Sequence, residues 1–215
     1  CLMRSQHTVP LKQQHATFNE EAVFYEDERG PYTCVGRHGR VKDLTDSDLQ
    51  TLRCTNGATI PKLSDVLDLV TRQSQVAATT VGVNVELKGP MTARAVADTL
   101  RNYQQIPILV SSFDHSELRR FRDIDPNTDV APLFHAWQDS VDEIATDLSA
   151  CCINLSSRIV TQRRCEQIHQ SGLPVLAYTV NSQRAATRLR RMGVAGVFTD
   201  RPDRFLSPTA TNEAS

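Results

Sequence analysis

Asn84, Glu86 and Lys88 alternate with Val83, Val85 and Leu87. In an extended strand, successive side chains point to opposite faces. An amide, a carboxylate and an ammonium therefore share one face, and three aliphatic side chains share the other. An acid and a base two residues apart, at the carboxyl end of a parallel strand, stand where barrels and open α/β sheets place their chemistry. The other reading of the same residues is an internal ion pair near a strand end, because ion-pair networks also cluster charge.

The strand that carries them sits in a repeating pattern. From residue 60 onward, apolar residues recur first at helical and then at strand spacing. Helices are predicted over 61–70, 92–103, 116–122, 140–148, 161–170 and 182–192. Strands are predicted over 81–88, 108–113, 130–134, 151–155, 174–180 and 196–199. Ser116 and Asn181-Ser182 stand where N-caps belong, and Gly172 and Gly193 where helices end. Six strands, each followed by a helix or the chain end, imply a parallel sheet with right-handed crossovers. Two architectures fit: a doubly wound open sheet, and an eight-stranded barrel lacking its first units.

The amino-terminal stretch to about residue 40 differs. Residues 2–19 show neither period. Residues 21–26 read as a strand and Glu26-Asp27-Glu28-Arg29-Gly30-Pro31 as a turn. Residues 41–52 resume a helical pattern, with Thr45 as the N-cap and acids in the first turn that suit the helix dipole. At the other end, 207–215 is small and polar and reads as a disordered tail.

Composition excludes several roles. The 215 residues carry a net charge of −1, against binding nucleic acid through bulk charge. The basic run Arg188-Leu189-Arg190-Arg191 reads as a solvated helix face. No apolar run approaches the ~20 residues of a membrane helix, and no secretory signal opens the chain. The six cysteines form no C-x-x-C and no Cys/His cluster at zinc spacing, so a reducing cytoplasm is the expected compartment. Cys151 and Cys152 read as small buried hydrophobes. No glycine-rich nucleotide loop follows any strand, and Gly193 and Gly196 are too sparse for the phosphate motif of a sugar-phosphate isomerase barrel.

Taken in order, six segments resemble the glycerophosphodiester phosphodiesterase family. They are Gly39-Arg40-Val41-Lys42-Asp43-Leu44-Thr45, Ile60-Pro61-Lys62-Leu63-Ser64-Asp65-Val66-Leu67, and Asn84-Val85-Glu86-Leu87-Lys88. Then come Val110-Ser111-Ser112-Phe113-Asp114, Gly172-Leu173-Pro174-Val175-Leu176-Ala177-Tyr178-Thr179-Val180-Asn181, and Gly193-Val194-Ala195-Gly196-Val197-Phe198-Thr199-Asp200-Arg201-Pro202. The resemblance implies a TIM (β/α)8 barrel spanning residues 1–206, atypical over 1–38. It implies metal-dependent hydrolysis of glycerophosphodiesters to glycerol 3-phosphate and an alcohol, in glycerophospholipid metabolism. In such enzymes the glutamate corresponding to Glu86 binds a divalent cation, Mg²⁺ or Ca²⁺, and the lysine corresponding to Lys88 holds the phosphate. Phe113, Tyr178 and Asn181 fall where substrate is lined; the family often has tryptophan at the Tyr178 position.

The family's other catalytic groups have no counterpart. There is no His-Arg-Gly in the chain. Where a Glu-x-Asp belongs stands His7-Thr8-Val9-Pro10-Leu11-Lys12, and where a His-Asp belongs stands Tyr25-Glu26. His7, His15 and His38 lack the required context, and His115, His135 and His169 are expected on loops or helix faces. The first one or two β/α units are therefore expected to be missing or altered, through a truncated chain or a displaced reading frame, leaving two sheet edges exposed and solubility marginal. The alternative is a catalytically inactive barrel homologue or fragment that acts as a binding or scaffold protein or has no function. Asp200 is a further candidate at the mouth or a simple turn cap, and Trp137 is expected to pack.

Overall fold

The computed structural model describes residues 15–19, 22–27 and 30–33 as strands, Thr45, Ser47 and Thr51 singly, and residues 61–77 and 81–205. The remaining residues, among them His7, His38, the run 39–44 and the predicted tail 207–215, lie outside the described residues.

At the amino-terminal end, β1 (His15–Asn19), β2 (Ala22–Asp27) and β3 (Gly30–Thr33) form an antiparallel sheet in the order β1-β2-β3. The strand expected over 21–26 is present as β2. The turn expected over 26–31 is shorter than read: Glu26 pairs with Pro31 and Asp27 with Gly30, so Pro31 lies within β3. An edge strand has no partner on one side and tolerates the missing N–H of proline. Ser47 and Thr51 are helical and Thr45 precedes them without being helical, consistent with the cap reading.

The body follows the predicted alternation. It comprises α1 (Leu63–Ala77), β4 (Val83–Leu87), α2 (Thr92–Leu100), β5 (Ile108–Ser112), α3 (His115–Ile124), β6 (Asp129–Phe134), α4 (Val141–Asp147), β7 (Ile153–Ser156), α5 (Gln162–Gln170), β8 (Val175–Tyr178), α6 (Gln183–Arg191) and β9 (Val194–Val197), with a 3₁₀ turn at Pro202–Arg204. The six strands pair in sequence order, β4-β5-β6-β7-β8-β9, all parallel. A doubly wound sheet reverses its strand order at a switch point. This sheet does not, so its helices all lie on one side, as in a barrel wall. Among the described residues, β4 and β9 each pair on one side only.

Register shows what each face holds. Leu87, Ser112 and Pro132 are paired neighbours, as are Val110 and Val130, Phe134 and Leu155, and Leu155 and Ala177. This outward face is almost wholly apolar. It packs on the helices, with Leu118 and Phe121 of α3 and Ala93, Ala97 and Leu100 of α2 buried against it. Each fully buried large aliphatic or aromatic side chain there contributes about 1.5–3 kcal/mol. The inward face runs through Glu86, Ser111 and Ala131, then Leu133, Asn154 and Leu176, with Asn84 and Tyr178 of the same parity. It is a mixture of polar and apolar groups.

Caps fix the helix starts. Thr161 and Ser182 accept from the backbone N–H groups of Arg164 and Ala185, as the sequence leads one to expect for Ser182. Ser116 is not the cap of α3. Asp114 is, its Oδ1 accepting from the N–H of Ser116 at 3.0 Å and of Glu117 at 3.1 Å, because a carboxylate two residues earlier reaches both orphan donors. Gly193 closes α6 at φ 97°, and a Cβ there would stand 2.8 Å from the His169 ring. Both the left-handed backbone and the close approach require glycine. The last strand is β9 at Val194–Val197, two residues earlier than predicted.

Candidate active site

Glu86 lies near the carboxyl end of β4, paired in register with Ser111, and Lys88 follows the strand. Lys88 Nζ stands 3.6 Å from Glu86 Oε2, and the two side chains are 30% and 29% exposed. So open an ion pair is worth at most about 1 kcal/mol. Stability alone gives little reason to place an acid and a base here.

The loop behind Lys88 is held from both ends. Gly89 takes φ 87°, Met91 takes φ 65°, and Thr92 Oγ1 donates to the Gly89 carbonyl at 3.1 Å. Met91 at the N-cap of α2 offers no side-chain cap. The cap arrives instead from α3: Glu117, fully buried, accepts from the Ala93 N–H at 2.8 Å and pairs with Arg120 at 2.8 Å. Negative charge at a helix N-terminus is favourable, and here it anchors the loop that carries Lys88.

Phe113 follows β5 and Tyr178 ends β8. Their rings meet edge to face, with centroids 5.7 Å apart at 88°, and the His135 ring centroid lies 5.9 Å from that of Phe113. In a flat sheet, β5 and β8 would be separated by roughly 14 Å, three strand spacings. The contact shows that the sheet curls, its inward face concave. Phe113 is 44% exposed at the mouth, whereas the Tyr178 hydroxyl is buried. Burial first, and the Glu86 carboxylate second, push the Tyr178 phenol well above its ordinary value. Glu86 and Tyr178 therefore share the concave face, near enough for the carboxylate to act on the phenol.

Among the described residues, four buried polar atoms have no hydrogen-bond partner: Asn84 Oδ1, Ser111 Oγ, Asn154 Nδ2 and the Tyr178 hydroxyl. All four belong to residues of the inward face. An unmade hydrogen bond costs about 1–3 kcal/mol per group, so this concavity is built to meet polar groups and differs in kind from the apolar outward face.

The other sequence candidates are elsewhere or otherwise engaged. Asn181 spends its amide on the loop after β9: Oδ1 accepts from Thr199 Oγ1 at 3.1 Å and the Asp200 N–H at 2.9 Å, and Nδ2 donates to Asp200 Oδ2 at 2.9 Å. It braces that loop at the mouth. His115 begins α3 with Nε2 at 3.1 Å from the Leu133 carbonyl, and His169 lies in the last turn of α5. Trp137 packs on the core beneath the Arg164 guanidinium, 4.7 Å from its ring centre. Cys152 and Cys165 are buried and Cys151 half-buried, all three as free thiols. Sequence reasoning expected His135 on a loop or helix face, and it follows β6 on a loop, but it was not singled out as a site neighbour, nor were Ser111 and Asn154. For the last two, the readable signal was their parity with Glu86 once register is known.

The sequence profile of the glycerophosphoryl diester phosphodiesterase family matches residues 18–204. The chain belongs to that family. It is 30% identical over 181 residues to a glycerophosphodiester phosphodiesterase of Bacillus altitudinis, covering 77% of this chain and 72% of the relative. In structure it resembles a phosphodiesterase of Oleispira antarctica solved with the product sn-glycerol-3-phosphate, at TM-score 0.71 and 21% identity over 80% of this chain and 76% of that one. A glycerophosphodiester phosphodiesterase of Parabacteroides distasonis superposes at TM-score 0.63 with 15% identity, covering 88% of this chain and 78% of that one. The family is enzymatic, and its glycerophosphodiester phosphodiesterases are TIM-barrel proteins. This chain's six parallel strands make the matching part of such a wall.

The family implies a divalent cation. Among the described residues, no three His, Cys, Asp or Glu side chains converge on one point. Glu86 offers one hard carboxylate, and Mg²⁺ and Ca²⁺ take six or more oxygen ligands. The described residues alone therefore do not form a metal centre. Among the described residues, no helix is long and apolar enough to cross a membrane.

Proposed function

We propose that this chain is a metal-dependent phosphodiesterase that hydrolyses glycerophosphodiesters to glycerol 3-phosphate and an alcohol, in glycerophospholipid metabolism. The observation that carries the reading is the convergence of Glu86, Lys88, Phe113 and Tyr178 at the carboxyl mouth of a family barrel wall. Lys88 is the phosphate-binding group, a compact cation suited to a phosphoryl oxygen. Phe113 and Tyr178 line the organic part of the substrate, and the unpartnered Tyr178 hydroxyl gives that wall a polar end. Asn181 shapes the mouth by bracing Thr199 and Asp200. Glu86 is the carboxylate ligand of a divalent cation, Mg²⁺ or Ca²⁺, and such an ion withdraws charge from a phosphoryl oxygen. The described residues supply no further ligand cluster, so the cation's remaining ligands and the proton-transferring groups would have to come from the segment before residue 61. Free thiols suit a reducing compartment, and the cytoplasm is the proposed location.

A second reading is favoured by the missing His-Arg-Gly. In it the chain is a barrel homologue that binds glycerophosphodiesters without turning them over. Glycerophosphocholine hydrolysis by the purified chain, with Mg²⁺, Ca²⁺ or EDTA, separates the two. Cation-dependent release of glycerol 3-phosphate, abolished in Lys88→Ala, supports the enzyme. Binding by calorimetry without turnover supports the second reading. Neither binding nor turnover in a folded sample refutes both.

A further inference from the structure

We propose that the exposed face of α6 docks on the anionic surface of a phospholipid bilayer. This goes beyond the reaction above and stands whether or not the chain turns over substrate. No aspartate or glutamate occurs between Glu166 and Asp200, yet Arg184, Arg188, Arg190 and Arg191 all fall on this one nine-residue helix. All four are exposed, and none takes part in an ion pair among the described residues. Arg184, Arg188 and Arg191 follow the i, i+4, i+7 row, a straight line about 10 Å long. The chain as a whole is at −1, so the positive charge is a local concentration.

Helix energetics do not account for the row. Arginines in the last turn suit the helix dipole, but Arg184 lies in the first turn, where a cation is disfavoured. The 184/188 and 188/191 pairs repel each other at neighbouring positions. The opposite side of α6, through the fully buried Leu189 and the half-buried Ala185 and Ala186, already holds the helix to the core. The arginines are not needed to seat it.

The chemistry of the face selects the occupant. Its exposed residues are Gln183, Arg184, Thr187, Arg188, Arg190 and Arg191, with no aromatic or aliphatic group among them. Protein interfaces dehydrate an apolar centre, which this face lacks. Tight nucleic-acid binders use six or more phosphate contacts or aromatic stacking, and this face offers four cations and no ring. A planar array of anionic headgroups asks only for a row of cations that stay hydrated, each worth about 1 kcal/mol at the surface, or about fivefold in partitioning.

The test is flotation of the full chain with vesicles of phosphatidylcholine alone or mixed with phosphatidylglycerol, at low and high salt. Binding is expected to the mixed vesicles only and to fall at high salt as the charges are screened. The R184Q/R188Q/R191Q variant is expected to lose on the order of a hundredfold, three steps of about fivefold. The R184K/R188K/R191K variant keeps the charge and is expected to retain most of the binding. Circular dichroism and melting of both variants control for folding. Equal binding to neutral vesicles, no binding to anionic ones, full binding by the glutamine variant, or tighter binding to a fluorescent DNA duplex than to vesicles would each overturn the proposal.

Discussion

Replacing Glu117 with alanine takes away the side-chain cap of α2 and with it the rear anchor of the Lys88 loop. The loss can be worked from the contacts. The Ala93 N–H, held at 2.8 Å by a fully buried carboxylate, is left unsatisfied at about 1–3 kcal/mol. The Arg120 end contributes less than about 1 kcal/mol, because that guanidinium is 61% exposed and returns to water. Removing the one buried γ-methylene adds a further ~0.8 kcal/mol. The expected total is about 3 kcal/mol, or roughly 6–12 °C in Tm for a chain of this size. Glu117→Gln keeps the volume and an acceptor oxygen and is expected to cost about 1 kcal/mol. Urea and thermal unfolding followed by far-ultraviolet circular dichroism measure both variants. Amide hydrogen exchange at Ala93 reports the cap itself and is expected to accelerate in the alanine variant alone. If the two variants melt within a degree of each other, or if Ala93 exchange is unchanged in Glu117→Ala, the cross-helix cap is refuted.

Asp114→Ala removes the N-cap of α3 and is expected to cost about 1 kcal/mol at neutral pH. The Ser116 hydroxyl and the Glu117 and Ser116 N–H groups hold the Asp114 carboxyl below its usual value. Its contribution is therefore present above about pH 4 and lost as pH falls through the folded value, so the two urea curves should converge in acid. Tyr178→Phe deletes a buried hydroxyl without a protein partner and is expected to be neutral or stabilising, by up to about 1 kcal/mol, at pH 7. Because the folded Tyr178 phenol is raised, the wild type should lose stability relative to Tyr178→Phe as pH climbs above about 10, where the unfolded tyrosine ionises first. Tyr103, also raised by its hydrogen bond to Asp68, is common to both proteins and cancels. Phe113→Ala, at a side chain 44% exposed, is expected to change Tm by no more than a few degrees but to raise KM for a glycerophosphodiester with little change in kcat; a fall in kcat alone would contradict a lining role.

Much of the body was legible because burial imposes a period. Val83, Val85 and Leu87 alternate with Asn84, Glu86 and Lys88, and Ala93, Ala97 and Leu100 recur at helical spacing, so strand and helix could be told apart without any tertiary knowledge. Errors fell where the signal is local and weak. Ser116 looked like a cap because serine often is one, yet Asp114 two residues earlier offers the stronger acceptor. Pro31 looked like a turn residue because proline often is one, yet a β3 edge accepts it. The amino-terminal segment resisted reading because short antiparallel strands such as β1 and β3 show only two or three alternations each.

The site divides the same way. Glu86 and Lys88 could be singled out from one hexapeptide, since charges alternating with aliphatics in a parallel strand are conspicuous in sequence. Nothing in the sequence could say that His135 flanks Phe113, that Asn154 shares a face with Glu86, or that the amide of Asn181 is taken up by Thr199 and Asp200.

By itself, the sequence determined the order and kind of the elements from residue 61 onward, the face on which Glu86 and Lys88 stand, and the family. These depend on neighbours within one turn of helix or a few residues of strand. Only the tertiary structure decided that the sheet curls enough to bring Phe113 onto Tyr178, that Glu117 of one helix caps the preceding one, and that, among the described residues, four buried polar atoms without partners share the concave side. Each of these joins groups tens of residues apart, and their relation is set by register and packing, which no local period encodes.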